Sequence, residues 1–434
     1  MSKRSSPAST IASAEASVLP PRSRIRVGER SSMMRWLSII GLGEDGVEGL
    51  SAAARSLLSG AAHVFGGRRH LALAAPLVRG EAHPWRSPLA ESWPELMALR
   101  GQPVAVLASG DPFLFGAGAS LARLVSPEEF LALPAPSSLA LACARLGWAM
   151  QEVATVSLCG RPLEMLRPAL QPGARVLVLA ADAATPGAVA GFLYRHGFGP
   201  TRMHLLEALG GPRERRRSFR AEDGPPGAID PLNLLALEVE AAPGARILPL
   251  AGGLPDGCFE HDGQITKREI RAVTLSSLAP RQGEMLWDIG AGSGSVGIEW
   301  MLRHPANRAI GFEPRPERAA RAARNAALLG VPALRVVEGG APEALAGQPV
   351  PDAVFVGGGV SHPGLLGAAW EALRPGGRIV ANAVTLEGES ALAAALGRWG
   401  GTLARIGVER LDRLGGMHGF RPAMTVTQWA AEKP

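Results

Sequence analysis

Cysteine is scarce in this sequence, with three in 434 residues. Cys143, Cys159 and Cys258 are scattered, without the close spacing of metal ligands, and an odd number does not make a disulfide framework. No metal is therefore expected, and a reducing cytoplasm is the compartment that fits. Long apolar runs are missing too. The most apolar window, Val176 to Tyr194, is broken by Asp182 and Pro186, whereas a membrane helix needs ~20 predominantly apolar residues. No membrane contact is expected. Short-period repeats are also absent, which excludes a solenoid.

Hydrophobic residues make up 47% and charged residues 19%, enough apolar mass for large cores. The length favours more than one domain. A net charge of +6 raises the question of nucleic acid, but its distribution answers it. Residues 1–34 carry Lys3, Arg4, Arg22, Arg24, Arg26 and Arg30 against Glu15 and Glu29, which is +4 of the total. The remainder is near neutral and lacks aromatic-basic interleaving, so no nucleic-acid partner is expected. The leader itself, rich in Ser, Pro and Arg and without apolar periodicity, reads as disordered. It has no secretory apolar core. Its composition fits a transit peptide loosely, and equally a true start at Met33 or Met34.

Short apolar runs alternate with Ala/Leu-rich helical stretches, the pattern of α/β domains with largely parallel sheets. "WLSIIGLG" (36–43), "VAVLAS" (104–109), "RVLVLA" (175–180) and "LNLLALEVE" (232–240) read as buried strands. The Pro- and Gly-dense stretch around residues 242–256 marks a linker between domains at 35–241 and 257–434. In the second domain, residues 265–278 read as a helix, with Thr266 as N-cap and Glu269 completing a capping box. Five strands with intervening helices then make a doubly wound sheet. The nine tryptophans are assigned mostly to the core.

"WDIGAGSGSVGIEW" (287–300) carries the chemistry. Gly292-x-Gly294-x-x-Gly297 satisfies the dinucleotide fingerprint, with Glu313 placed 21 residues on as a ribose acceptor, so NAD stays open on this pattern alone. Glycines at a strand-to-helix turn let a cofactor lie against bare main chain. Asp288 and Gly290 extend the pattern to D-x-G-x-G-x-G, which resembles the first motif of class I S-adenosylmethionine-dependent methyltransferases. "VVEGGAPEAL", "DAVFVGGG" and "ALRPGGRIVANAV" follow in the order of that family's later segments.

The first domain holds a second set. "IIGLGEDG" (39–46) is followed by "LASGDPFLFGAG" (107–118), "APSSLALACARLGW" (135–148) and "LLEALGGPRERR" (205–216). Alone, Gly110-Asp111-Pro112 is an ordinary type I turn. The ordered set resembles the tetrapyrrole (class III) methyltransferase family. The two domains together resemble the bifunctional, decarboxylating precorrin methyltransferases of cobalamin biosynthesis, over about residues 36–430.

The resemblance implies a two-lobed tetrapyrrole methyltransferase fold followed by a Rossmann-like class I fold, with S-adenosylmethionine as cofactor and a tetrapyrrole as substrate. It implies C-5 methylation by the first domain, and C-15 methylation with decarboxylation of the C-12 acetate by the second. The donor would meet Gly41, Gly43, Gly110, Asp111 and Ser137 (with Ser138) in the first domain. In the second it would meet Thr266, Lys267, Asp288, Gly290, Gly292, Gly294, Glu313 and Ala341, with Gln264 nearby. Gly340-Ala341 stands where the family often has an acid beside the adenine. Gly357, Gly358 and Asn382 would face the substrate.

Arg213–Arg217, Arg268 and Arg271 are candidates for substrate carboxylates, although a charge run is commonly a solvated face. His261, His304, His362 and His418 are weighed as proton carriers by residue type, each reads more readily as structural, and no catalytic residue is assigned. A homo-oligomer is expected. The rivals are an RNA methyltransferase, an NAD-dependent oxidoreductase and a corrin carrier with one dead donor site. Thermal melting separates the cofactors: S-adenosylhomocysteine at ~100-fold its Kd is expected to stabilise the fold by about 2.7 kcal/mol, and NAD by nothing. The reverse outcome makes the chain an oxidoreductase.

Overall fold

The computed structural model describes residues 35–434. The leader and the start at Met33 or Met34 lie outside the described residues. Among the described residues no helix is long and apolar enough to cross a membrane.

Three large sheets are formed, each with a hydrophobic cluster on either face. The first comprises β1 (Leu37–Leu42), β2 (His63–Gly66), β3 (Glu81–Pro84), β4 (Val104–Ser109) and β5 (Phe130–Leu133), in the order β3-β2-β4-β1-β5. All of its ladders are parallel. Alternation along β1 sends Ile40 and Leu42 to one core and Leu37 and Ile39 to the other. Burial on both faces explains why these strands read as unbroken apolar runs.

The second sheet contains β6 (Val153–Ser157), β7 (Arg175–Leu179), β8 (Arg202–Glu207), β9 (Arg215–Arg220) and β10 (Asn233–Glu238), in the order β6-β7-β10-β8-β9. Only β6 and β7 run parallel; the other ladders are antiparallel. This departs from the expected parallel character. The connection from β8 to β9 spans only residues 208–214, too short for a crossover.

The third sheet uses β11 (Met285–Ile289), β12 (Arg308–Glu313), β13 (Arg335–Glu338), β14 (Ala353–Val356), β15 (Arg378–Ala383) and β16 (Thr402–Ile406). After a hairpin of β17 (Glu409–Leu414) and β18 (Met417–Pro422), the chain returns as β19 (Val426–Glu432) between β15 and β16. The order is β13-β12-β11-β14-β15-β19-β16, the first five parallel and β19 antiparallel to both neighbours. The sheet is thus the expected doubly wound one, with two more strands than expected. Six tryptophans are buried, and Trp370, Trp399 and Trp429 gather with ring centroids 5.2 to 6.2 Å apart.

One expectation changes at the start of the third layer. The helix spans Arg268–Leu278 with Lys267 at its N-cap and no side-chain cap, so the Thr266–Glu269 capping box is not formed. Glu269 pairs instead with Arg410. The stretch 242–256 is mostly exposed and is tethered at a few points. Leu248 and Leu254 enter the third sheet's core, and Gln171 Nε2 donates to the Leu248 carbonyl at 2.9 Å.

The anchor of this packing is a buried ion pair. Arg271 and Glu299 are both fully buried, with Nε donating to Oε1 at 2.6 Å. The carboxylate also accepts from Gly253 N at 2.6 Å and Leu254 N at 2.8 Å. Arg271 further donates to Asp256 Oδ1 at 3.2 Å and to the Thr266 and Leu254 carbonyls, and lies over the Phe259 ring. Arg271, a sequence candidate for substrate, is therefore structural. A buried pair satisfied on all sides holds geometry, while removing one partner leaves a bare charge. Glu299→Leu is expected to cost about 3–5 kcal/mol in urea unfolding, and Arg271→Met added to it to recover part of that loss.

Candidate functional site

Two pockets sit at the carboxyl ends of parallel strands, where helix starts and bare turns collect. The first, about 510 Å³, opens between the first two sheets. Gly43 and Gly110 line it from the turns after β1 and β4, Ser137 and Ser138 from the turn after β5, and Leu206, Ala208 and Asn233 from the second sheet. Gly110 has φ +53°, and a Cβ there would lie 2.8 Å from Ser137 Cα, so a side chain would jam the three turns together.

Two expected residues lie behind this pocket. At Gly41 a Cβ would stand 1.9 Å from the Gly110 carbonyl oxygen; the glycine packs strand ends rather than lining the cavity. Asp111 is turned into its own loop, where Oδ1 accepts from Phe113 N at 2.8 Å. Ser137 does line the cavity, and its hydroxyl caps the helix Ser138–Leu146 by accepting from Ala140 N at 3.1 Å. Arg69, His70 and Arg161, none anticipated, also line it. Burial first, and the Arg69 charge second, push the His70 imidazole down to about 4, which leaves it neutral near pH 7. Arg69 is paired with Glu44. Arg161 has no carboxylate partner among the described residues, and its guanidinium lies 5.5 Å from the Phe115 ring.

The second pocket, about 700 Å³, lies at the switch point of the third sheet. The turns after β11 and β14 meet there, and a Cβ on Gly290 (φ +74°) would fall 2.7 Å from Gly358 N. Gln264, Thr266, Lys267, Gly290, Gly292, Glu313, Ala341, Gly357, Gly358 and Asn382 all face this one cavity. Glu313 Oε2 accepts from Gly292 N at 2.9 Å and Oε1 from Arg315 N at 3.1 Å. The carboxylate thus fixes the loop and retains lone pairs toward the cavity. Asn382 is aimed by a buried network: Nδ2 donates to Thr274 Oγ1 at 3.0 Å, and Gln428 Nε2 donates to Asn382 Oδ1 at 2.9 Å.

Asp288 and Gly294 do not line the cavity. Gly294 (φ +75°) ends the loop against Ala322 as N-cap of the helix Ser295–Leu302. Asp288 is buried beneath the loop, its Oδ2 accepting from Gly297 N at 2.9 Å. It therefore supports the turn from below. Ser293, which sequence reasoning passed over, lines the cavity, and its buried Oγ has no hydrogen-bond partner. Such an orphan, beside bare main chain and an acceptor carboxylate, fits a ribose-bearing cofactor.

The arginine run is not at either cavity. Arg215 and Arg217 clamp the buried Glu207 at 2.7 and 2.9 Å, Arg213 pairs with Asp230, and Arg216 donates to the Arg145 carbonyl at 2.6 Å. Arg268 donates to the Gly253 carbonyl. Of the four histidines, only His362 lines a cavity. His261 and His304 accept from backbone N–H groups two residues on, and His418 is exposed on the hairpin. Arg315, Arg318 and Arg410 line the second cavity instead. Arg318 is paired with Asp262 and Arg410 with Glu269, while Arg315 has no carboxylate partner among the described residues.

The chain matches two family models: tetrapyrrole (corrin/porphyrin) methylases at residues 37–223, and the precorrin methyltransferase domain at residues 257–433. It is 58% identical to a precorrin-6Y C(5,15)-methyltransferase [decarboxylating] of Sinorhizobium sp, across 92% of this chain and 96% of that one. A protein of the same name from Mycobacterium tuberculosis is 42% identical, across 91% and 99%. The crystal structure of the C-terminal domain of precorrin-6Y C5,15-methyltransferase from Rhodobacter capsulatus is 48% identical, covering 43% of this chain and 100% of that one, with a TM-score of 0.41.

Asp288 yields a pH prediction. Burial, with a smaller push from Glu313 and against the Gly297 N–H, raises its carboxyl to about 7. Unfolded, it ionises near ~3.9, so between these values the folded state holds a proton that the unfolded state lacks. Its contribution is complete at low pH and falls away as pH rises toward about 7. The stability advantage of the native chain over Asp288→Asn should therefore shrink by a few kcal/mol, on the order of 1.36 kcal/mol per unit, between ~pH 4 and ~pH 7, then level off. Urea unfolding across that range checks it; a pH-independent difference refutes it.

Proposed function

The chain belongs to the precorrin-6Y C(5,15)-methyltransferase (decarboxylating) family, the S-adenosylmethionine-dependent C-methyltransferases of cobalamin biosynthesis, and from that premise we propose how its two pockets share the reaction. The pocket of residues 35–241 methylates C-5. The pocket of residues 257–434 methylates C-15, and there the C-12 acetate loses carbon dioxide. The observation that carries this reading is the presence of two separate cavities, each closed by glycine turns at the carboxyl ends of parallel strands.

When bound, S-adenosylmethionine supplies an already activated methyl group. The protein's share is therefore to bind, align and exclude water, which requires no protein nucleophile. In the second pocket Gly290, Gly292 and Ser293 offer main chain and a free hydroxyl, Glu313 takes the ribose, and Gly357, Gly358 and Asn382 set the substrate side. In the first, Gly43, Gly110 and the Ser137 turn hold the donor largely through backbone groups, since the Ser137 hydroxyl is committed to its helix. Leu114 and Phe115 give the macrocycle an apolar rim. Arg161 and Arg315, both without a carboxylate of their own, take substrate carboxylates. The neutral His70 keeps a second positive charge from building up beside Arg69.

Nucleic acid and membrane have no part in this reading. The three cysteines are free thiols, which supports the cytoplasm. Leu411 and Phe420 stand exposed on one face of the β17–β18 hairpin and Leu414 and Met417 on the other, exposed apolar groups that support a homo-oligomer.

Mass analysis of the product tests the division of labour. With S-adenosylmethionine and precorrin-6Y, the native chain should add two methyl groups and remove one carbon dioxide. Gly110→Val, blocked by Ser137, should add one methyl and still decarboxylate. Gly290→Val, blocked by Gly358, should add one methyl and retain the carboxyl. Loss of the same step in both variants would overturn the assignment.

A further inference from the structure

Three electron-pair donors converge on one face of the first sheet, at its edge. His63 and Glu81 are direct partners in the parallel ladder of β2 and β3, and His83 lies opposite Phe65 two positions on. Residues two apart share a sheet face, so the three side chains stand together. His63 Nδ1 lies 3.1 Å from His83 Nε2. Glu81 Oε2 lies 3.6 Å from the first nitrogen and 3.8 Å from the second.

The outer nitrogens decide what the inner ones are. His83 Nδ1 is 2.9 Å from Glu95 Oε1, and His63 Nε2 is 3.3 Å from Gln102 Oε1. Carboxylate and amide oxygens only accept, so the tautomer that donates from each outer nitrogen turns both inner nitrogens into acceptors, with a carboxylate alongside. A cation at the centre would be held by all three groups at once.

We propose that His63 Nδ1, His83 Nε2 and Glu81 Oε2 bind one divalent transition-metal ion of the zinc class, with water completing the shell. Ligand atoms at ~2.0–2.1 Å in a tetrahedral shell lie roughly 3.3–3.4 Å apart, within the range seen here. Two imidazoles and one carboxylate suit zinc, cobalt, nickel or copper rather than magnesium or calcium. The surroundings are those of a built site. Glu95 orients the His83 ring and is itself held by Arg86 at 3.0 Å, and Phe65 stacks on that ring at 4.4 Å. His63 lies on β2, and Glu81 and His83 lie together on β3, 18 and 20 residues later, a spacing that no linear motif marks. β3 is a four-residue edge strand paired only with β2. The ion cross-links the two and takes no part in methyl transfer, which is placed at the carboxyl ends of β1 and β4.

The tag-free full chain, stripped with a chelator, is titrated with Zn²⁺ by calorimetry and with Co²⁺ by visible absorption. One equivalent of each is expected, the Co²⁺ complex showing ligand-field bands. Glu95→Gln should weaken binding ~10–100-fold, and His63→Gln/His83→Gln should abolish it while S-adenosylhomocysteine binding persists. Should the double variant not fold, the native titration decides alone. Absence of stoichiometric binding at ~pH 7.5, or retention by a folded double variant, overturns the proposal.

Discussion

The close approach of two turns across a strand-order reversal is the constraint on which the larger pocket depends. β11 and β14 are neighbours whose following helices go to opposite sides, so their turns face each other with a gap between. A Cβ on Gly290 would leave 2.7 Å to Gly358 N. Nothing larger than hydrogen fits, and the result is a cavity walled by main chain. The first pocket meets the same requirement with other parts. There the turns after β1, β4 and β5 interlock, Gly41 filling the space beside the Gly110 carbonyl and Gly110 the space beside Ser137. In both places polar backbone groups are exposed to a ligand because side chains cannot intervene.

Buried charges do the positioning around these turns. Glu313 ties Gly292 and Arg315 through their N–H groups, and Asp288 ties Gly297. Glu299 ties residues 253 and 254 to the helix carrying Arg271. Each of these carboxylates accepts main-chain hydrogens, which is why burial is tolerable. Asp288 has the fewest partners, with one backbone donor and no cation, and its affinity for a proton is raised accordingly. A loop resting on a carboxyl group of that kind is sensitive to its protonation state.

Much of this was legible in the sequence. Strands buried on both faces read as unbroken apolar runs, and the glycine spacing located both pockets. The misreadings share one cause: a motif fixes a position along the chain and leaves open which way a side chain turns. Asp288 and Glu313 are both acids at strand ends, yet one points beneath the loop and the other toward the cavity. Thr266 and Glu269 had capping-box spacing, but the N-cap falls one residue later, at Lys267, while Thr266 supplies its carbonyl to Arg271 and Glu269 its carboxylate to Arg410. The strands β16, β17 and β18 were missed because they are largely exposed and carry no apolar run, and β19 because its buried stretch is interrupted by Thr427 and Gln428.

Charge clustering misled for a related reason. In the run Arg213–Arg217, Arg215 and Arg217 of the edge strand β9 neutralise the buried Glu207, and Arg213, in the turn before it, pairs with Asp230. Density in sequence there serves local acids. Arg161 and Arg315 have no carboxylate partner among the described residues and lie at cavity walls. An arginine kept beside an acid is already spent, and a polycarboxylate ligand gains little from it. An unpaired arginine at a cavity wall retains its full hydrogen-bonding fork, so position and pairing rather than density along the chain decide which arginines can recognise an anionic macrocycle.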